Sequence, residues 1–498
     1  MANAAPFFQN PHHQDIVQQA MQLNEELPIE LPLVDSEALQ ALITTSALEY
    51  RAETLMAIAN HSIAKFGHPT RVIGSKGHWS TIDYITREIH KLGHYYNVTA
   101  QPFKAFMSEV YNVSLTINGT TPKSLIEMDM SPATPNKDYV TGELVLVANS
   151  GCSESDYPAS VEGNIALVKR GECAFGDKSL IAGTLGAKAA IIYNNEAGSI
   201  RGTLGIPEDG AIVAPTVGLS KSDGDYYVDL LSKNYTLNAS VLVDSYVGKI
   251  TTLNVIAETK EGDPDNIVML GAHSDSVTAG PGINDDGSGT ISLLEVAKQL
   301  TKFKVNNKVR FAWWAAEEEG LLGSNHYAKT LTPGENEKIR LFMDYDMMAS
   351  PNYEYEIYNA TNAVNPVGSE ELRDLYVNYY ESKGLPYVFI PFDGRSDYVG
   401  FIEHGIPGGG IAAGAEKANF WNGEVLDECY HSLCDDVSNL AWDAFLINTQ
   451  LIAHSVATYA NSFEGFPPRE NSTEAVSAES MNGWGTKDWK YRGSQLIM

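Results

Sequence analysis

The sequence predicts an α/β fold: a mostly parallel, mixed sheet flanked by helices, with a β-rich domain inserted into it. Three observations lead there. From Ile250 onward, short apolar runs at 251–258, 267–272, 308–316 and 340–347 alternate with stretches of helical spacing at 287–303, 321–331 and 369–383. That rhythm is the mark of βα units and a parallel core. Several of the runs pass directly into His, Asp or Glu, and in open α/β sheets the carboxyl ends of strands are where ligands bind. Residues 107–248, by contrast, show many short β runs and dense Pro, Gly and Asn punctuation.

Taken in order, residues 1–36 are polar with scattered prolines and read as an extended arm. Residues 36–65 have helical apolar spacing (Leu39, Leu42, Leu48, Leu55, Ile58), with Ser36 as the N-cap. A Gly-rich loop at 66–78, a helix at 81–92 and a strand at 96–103 follow. The inserted segment carries β runs at 110–117, 142–147, 164–168, 189–193 and 237–243, and few residues suited to catalysis. The later βα rhythm continues through 386–391 and 406–412 to a last helix at 441–461, and Pro467-Pro468 closes the fold. The expected plan is an arm over 1–39, a discontinuous catalytic domain over 40–106 and 249–465, an inserted domain over 107–248, and a flexible tail over 466–498.

At 498 residues the chain has room for two or three domains. Its net charge of -29 argues against nucleic acid and anionic membranes as partners. No apolar run approaches the length of a membrane span. The opening residues lack the basic region and apolar core of a signal peptide and read as a mature or engineered start. The four cysteines fall in two local pairs, Cys152/Cys173 and Cys429/Cys434. N-x-S/T sequons occur at Asn60, Asn97, Asn112, Asn118, Asn234, Asn238, Asn359 and Asn471. This density, with an even cysteine count, predicts a secreted glycoprotein, with a vacuolar one as the alternative.

The residues that carry chemistry cluster after the apolar runs. In His273-Ser274-Asp275, a strand would turn the first and third residues to the same side. One can then ligate a metal while the other orients it, although such a pair is also compatible with satisfied polar residues. Asn284-Asp285-Asp286-Gly287 reads as a turn and helix N-cap, or as a ligand loop. Glu317-Glu318-Glu319 directly follows the apolar run 309–314. Three carboxylates there repel one another unless cations are present; the bland alternative is the acidic first turn of a helix. The functional reading makes one of them a metal ligand and its neighbour a general base. Asp346 ends a further apolar run, with Asp344 as a structural neighbour. A bridge between Cys429 and Cys434 would pin His431 in a tight loop. A zinc knuckle or free thiols are the alternatives, and the presence of only two local cysteines favours the bridge.

Together His273, Asp285, Glu318, Asp346 and His431 make two histidines and three carboxylates at strand ends, a donor set that suits zinc. Five ligands are too many for one tetrahedral ion. With one bridging carboxylate they offer three contacts to each of two ions, as in a two-metal hydrolytic site.

The order of the motifs, His-x-Asp, G-I-N-D-D-G-S-G, F-A-W-W-A-A-E-E-E-G-L-L-G-S, D-Y-D-M-M-A-S-P-N, G-R-S-D-Y and C-Y-H-S-L-C-D, resembles the M28 family of dizinc aminopeptidases. Within it, the chain is similar to the fungal leucine aminopeptidase and aminopeptidase Y group. Residues 107–248, through NIALVKRGECAFGDKSLIAGTLGAKAAIIYNNE, resemble a protease-associated domain. The resemblance implies a zinc-peptidase-like sheet, two Zn2+ per chain, peptide substrates with a free N-terminus, leucine and other apolar first residues, and a monomer. It also implies a Cys152–Cys173 bridge. By motif, one zinc takes His273 and Asp346, the other Glu318 and His431, and Asp285 bridges them. Glu317 is then the general base, Asp275 the partner of His273, and Tyr430 a stabiliser of the oxyanion. Arg395 borders the substrate site.

Ile411 and Ala412 match the segment of the specificity pocket, where bacterial relatives carry an aromatic residue at the place of Ala412, which implies a wider pocket here. The family also contains carboxypeptidases, glutaminyl cyclases and receptors that have lost the metals. A cyclase uses one zinc, a metal-free receptor lacks ligands that are all present here, and a carboxypeptidase needs a cationic cluster of which only Arg395 lies near the motifs. A protein- or carbohydrate-binding role remains an alternative for the inserted segment.

Overall fold

The computed structural model describes residues 31–469, apart from 197, 199, 201 and 206–209. In chain order its strands are β1 (Tyr96–Ile117), β2 (Ile126–Glu127), β3 (Val140–Leu146), β4 (Ile165–Lys169), β5 (Ala189–Tyr193), β6 (Thr216–Leu219), β7 (Asn238–Thr259), β8 (Asp263–His273), β9 (Asn307–Trp314), β10 (Ile339–Tyr345), β11 (Glu356–Tyr358), β12 (Val388–Ile390) and β13 (Gly408–Ala412). They join in the order β12-β11-β13-β10-β8-β9-β7-β3-β4-β5-β6-β2, with β1 paired to β7. The centre, β13-β10-β8-β9, is parallel.

Successive residues of these central strands face opposite layers. Val268, Leu270, Val309, Phe311 and Trp313 enter one core, while Ile267, Met269, Ala312 and Trp314 enter the other. Helices cover both faces, so the inner parts of these strands are mostly apolar on both sides, with runs such as 267–272 and 311–314 continuous rather than alternating. The first core packs against helices Thr45–Ala59, Gly287–Leu300 and Trp442–Asn461; the second packs against Tyr398–Glu403, whose Phe401 stacks on Phe342 with ring centroids 3.7 Å apart.

This sheet sets up the site. His273 is the last residue of β8, Asp346 directly follows β10, Glu317 and Glu318 come shortly after β9, and Ala412 ends β13. All lie at the carboxyl ends of parallel strands.

The inserted segment hangs on a ribbon. β1 and β7 pair antiparallel from Tyr96↔Thr259 to Ile117↔Ala239, with Met107 opposite Gly248 and a register shift between Val110 and Asn112. The runs at 96–103 and 110–117 are thus one strand, as are those at 237–243 and 251–258; polar residues (Lys104, Ser108, Glu109 in the first, Asp244, Ser245, Lys249 in the second) interrupt the apolar pattern at each join. The segment also holds helices Phe175–Thr184 and Lys221–Ser232, which the sequence reading left out. The first is rich in Gly, Ser and Thr, poor helix formers, and folds by burying Phe175 and Ala182 against β4 and β5.

The stretch 36–65 is not one helix. Ser36–Gln40, Thr45–Ala59 and Ile63–Phe66 are separated, and Asp35 rather than Ser36 caps the first through its side chain. Ser36 Oγ instead pairs with His454 Nδ1 at 2.7 Å. The described part of the expected arm is packed: Val34 and Leu39 are buried and Leu33 bridges to Lys304. Phe466 is buried, and Arg469 donates to the carbonyls of Asn336 and Ile339, so 466–469 are fixed as well. Residues 1–30 and 470–498, with Asn471, lie outside the described residues. The other seven sequon asparagines are exposed. Both cysteine pairs are bridged, Cys152 to Cys173 and Cys429 to Cys434.

Candidate metal centre and active-site cleft

The five candidate ligands converge on one point. Asp285 lies between the two histidines: its Oδ1 is 3.1 Å from His273 Nε2 and its Oδ2 is 3.1 Å from His431 Nε2. Glu318 Oε2 is 3.1 Å from His431 Nε2, and Asp346 Oδ1 is 3.7 Å from His273 Nε2. Glu317 Oε2 stands 3.9 Å from His273 Nε2.

Backbone contacts hold each ligand. Asp286 caps the helix Gly287–Leu300 by accepting from Gly289 N–H, and the same carboxylate accepts from His273 N–H and Met347 N–H. It thereby ties β8, the helix and the end of β10 together. Gly289 is required because a Cβ would strike the Tyr345 carbonyl. Asp286 is near enough to His273 and Asp346 to complete a ligand trio, but its oxygens serve three N–H groups, so it acts as a latch. Asp275 accepts from the N–H groups of Glu317 and Glu318, both at 3.3 Å, and so shapes the turn that presents them. Its Oδ1 is 3.8 Å from His273 Nδ1, beyond hydrogen-bond reach. Glu318 Oε1 accepts from Val277 N–H, leaving Oε2 for His431. Asp346 Oδ2 accepts from Ser396 Oγ, while its Oδ1 is buried without a hydrogen-bond partner.

Electrostatics explain what the cluster needs. Burial pushes the Glu317 carboxyl well above the usual range, and Glu318, Asp397 and Asp346 oppose its ionisation further; His273 works the other way. Burial lifts Asp346 to about 6. Burial disfavours the charged form of His431, yet Glu318 and Asp285 overcome it and hold the ring up to about 10. Carboxylates outnumber imidazoles among these largely buried groups, a surplus that a divalent cation relieves. The orphaned Asp346 oxygen and the His/carboxylate donor set fit such an ion, zinc foremost.

The supporting shell was largely hidden from sequence reading. The Asp435 carboxylate accepts from the N–H groups of Asn284 and Asp285 at 2.8 and 3.0 Å, which joins the disulfide loop to the ligand loop. Its place in the C-Y-H-S-L-C-D motif was the available signal. Arg71 gave none. Its guanidinium is fully buried and donates to the carbonyls of Ser274, Pro281, Gly282 and Asp285, clamping the loop between the first two ligands. Burial lowers its pKa, and Asp275, Asp286, Asp435 and Asp285 oppose that fall. Replacing Arg71 with Met strands these carbonyls, and the expected loss is at least about 3 kcal/mol of unfolding free energy. Urea denaturation measures it; a change below about 1 kcal/mol would contradict the clamp.

The cleft beside the ligands is walled by Met347, Tyr358, Ile390 and Ala412, with Glu356 and Lys417 among its polar groups. Burial pushes the Glu356 carboxyl up to about 7. Of the expected pocket pair, Ile411 and Ala412, only Ala412 lines the cleft. Ile411, its neighbour on β13, faces the core and is fully buried, so it is not a pocket residue. Arg395 does border the cleft, but its guanidinium is bidentate with Glu416 at 2.8 and 2.9 Å and donates to Tyr430 Oη at 3.1 Å. It positions a tyrosine rather than offering a free charge. The Tyr430 ring stacks on His431 with centroids 3.8 Å apart.

The model of Peptidase family M28 matches residues 254–456, and the PA domain model matches residues 140–227. Over 475 residues the chain is 55% identical to aminopeptidase Y of Saccharomyces cerevisiae, covering 94% of this chain and 88% of that protein. The chain belongs to peptidase family M28. Probable leucine aminopeptidase 2 of Aspergillus fumigatus, another relative of this M28 chain, is 46% identical over 418 residues, 81% of this chain and 82% of that protein. Among solved structures, an aminopeptidase from Aneurinibacillus sp. strain AM-1 is similar with a TM-score of 0.73 at 27% identity, covering 86% of this chain and 97% of that one. A zinc aminopeptidase from Bacillus subtilis shares the fold, with a TM-score of 0.63 at 24% identity over 88% of this chain and 98% of that one. Among the described residues, no helix of the M28 chain is long and apolar enough to cross a membrane.

Proposed function

We propose that the protein is a dizinc aminopeptidase that releases leucine and other apolar residues from peptides with a free N-terminus. The observation that carries this reading is the Asp285 carboxylate, one oxygen on each of two histidines, at the wall of an open cleft. With Asp346 on the His273 side and Glu318 on the His431 side, it offers three contacts to each of two ions. Bound zinc supplies Lewis acidity and lowers the pKa of a water toward about 7.

The chain's own groups do the rest. Glu317 accepts the proton of the attacking water and returns it to the leaving amine. Arg395 donates to the Tyr430 oxygen, which leaves the Tyr430 hydroxyl proton for the oxyanion that develops on the scissile carbonyl. Glu317 and Asp346 stand where they can meet the substrate's α-ammonium, and Met347, Tyr358 and Ile390 receive an apolar first side chain.

A carboxypeptidase reading is not favoured, because the cleft cations Arg395 and Lys417 face Glu416 and Asp393. We take residues 107–248 as the inserted domain and the protein as a monomer. Two disulfides and seven exposed sequons support a secreted glycoprotein, with a vacuolar one as the alternative.

The test is a panel of aminoacyl chromogenic amides, with and without chelator. Turnover of the leucyl amide, abolished by chelator and restored by zinc, is expected. Turnover that survives complete removal of metal would sink the proposal.

A further inference from the structure

Beside the cleft, one hairpin holds two aromatic rings out in water. Ala418 bridges to Val425, Leu426 N–H donates to the Lys417 carbonyl at 2.9 Å, and Asn419 N–H donates to the Glu424 carbonyl at 2.7 Å. At the tip, Phe420 is 74% exposed and Trp421 58% exposed, their rings edge to face with centroids 4.9 Å apart. The tip is rigidly supported. Asn419 is buried; its Oδ1 accepts from the N–H groups of Trp421 and Asn422, and its Nδ2 donates to the carbonyls of Asn352 and Tyr353. Phe420 N–H donates to the Glu354 carboxylate, and Asn352 Nδ2 reaches the Val425 carbonyl at 3.0 Å. A buried scaffold that presents adjacent large aromatics to solvent makes a preorganised apolar contact surface, and such surfaces mark binding sites.

Continuity with the cleft decides the occupant. Ala415 and Lys417, on the base of this same hairpin, line the cleft. Phe420 lies three residues beyond Lys417 and Trp421 four, so neither is more than about 10–14 Å of chain away. A peptide whose first residue sits at the metal ligands must leave through the cleft mouth, and an extended chain advances about 3.3 Å per residue. A peptide that leaves along this hairpin covers the stretch from Lys417 to the tip in about three or four residues. We propose that Phe420 and Trp421 form a downstream subsite that binds apolar side chains at the fourth and fifth positions of a peptide substrate. The inference rests on the aminopeptidase reading and extends it from the first residue to the length and sequence of the rest of the peptide.

The experiment compares Leu-Ala-Ala-Phe-Phe-Ala, Leu-Ala-Ala-Ser-Ser-Ala and leucyl amide, with the wild-type protein and the F420A/W421A double variant. For the wild type, kcat/KM is expected to be about tenfold higher for the Phe peptide than for the Ser peptide, mainly through KM. The double variant loses that preference, while leucyl amide, too short to reach the tip, is cleaved as before. Trp421→Phe retains part of the preference. Release of leucine by the wild type with no preference between the peptides overturns this inference alone. Equal loss by the variant on leucyl amide and both peptides also overturns it, since the hairpin would then act through the cleft itself. A changed sedimentation coefficient of the variant with all three rates intact would make the pair a protein–protein contact instead. No release by the wild type from any substrate removes the aminopeptidase reading and this inference with it.

Discussion

Replacing Glu317 with Gln lowers kcat by roughly 10²–10⁴ and leaves zinc content unchanged. The amide keeps the size of the carboxyl but accepts no proton from the attacking water. The two adjacent acids differ in their surroundings: Glu318 has one oxygen on Val277 N–H and the other on His431, whereas Glu317 lines the cleft 3.9 Å from His273. The turn itself is preserved, because Asp275 grips the backbone of both residues and not their side chains. Activity with metal measured on the same sample separates the two roles. If Glu317→Gln sheds zinc and Glu318→Gln keeps it, base and ligand are exchanged.

The second large effect belongs to Asp285. Asp285→Ala removes the one carboxylate that both histidines approach, and the expected loss of activity exceeds about 10⁴-fold, because water activation and charge stabilisation go together. Zinc should fall from two ions per chain to one or none by elemental analysis. The fold should survive, since the Asp285 backbone N–H still donates to Asp435 and Asp286 still caps the helix. Retention of two zinc ions by the folded variant would remove Asp285 from the bridging role.

Of the five candidate ligands, His273, Glu318 and Asp346 were readable because their parallel strands change from apolar residues to His, Asp or Glu at or shortly after their ends, whereas Asp285 and His431 lie in loops and were read from their motifs. Ala272-His273 and Tyr345-Asp346 are such junctions. What could not be read comes from contacts between residues far apart in the chain. Asp435 meets Asp285 across 150 residues, and Arg71 meets Ser274 across 203. Asp435 was marked only by its place in the C-Y-H-S-L-C-D motif, and nothing local marks Arg71, which sits in a Gly-rich loop. The pocket pair was half right for a related reason: β13 is buried on both faces, so Ile411 turns to the core while Ala412 joins Met347, Tyr358 and Ile390 in the wall. The long β1–β7 ribbon escaped because polar residues (Lys104, Ser108, Glu109; Asp244, Ser245, Lys249) break its apolar pattern midway, although Phe103, Ala105 and Met107 are buried there beside Ile73, Ala315 and Ala316.

The central claim is that the cleft acts at a free N-terminus. The measurement that tests it most directly follows two leucyl peptides of identical sequence, one with a free and one with an acetylated N-terminus, for release of the first residue. An acetylated end carries no charge for Glu317 and Asp346 and adds bulk against the ligands. Release of leucine from the free peptide alone is the predicted result. Comparable cleavage of both peptides, or release from the C-terminal end, would contradict it.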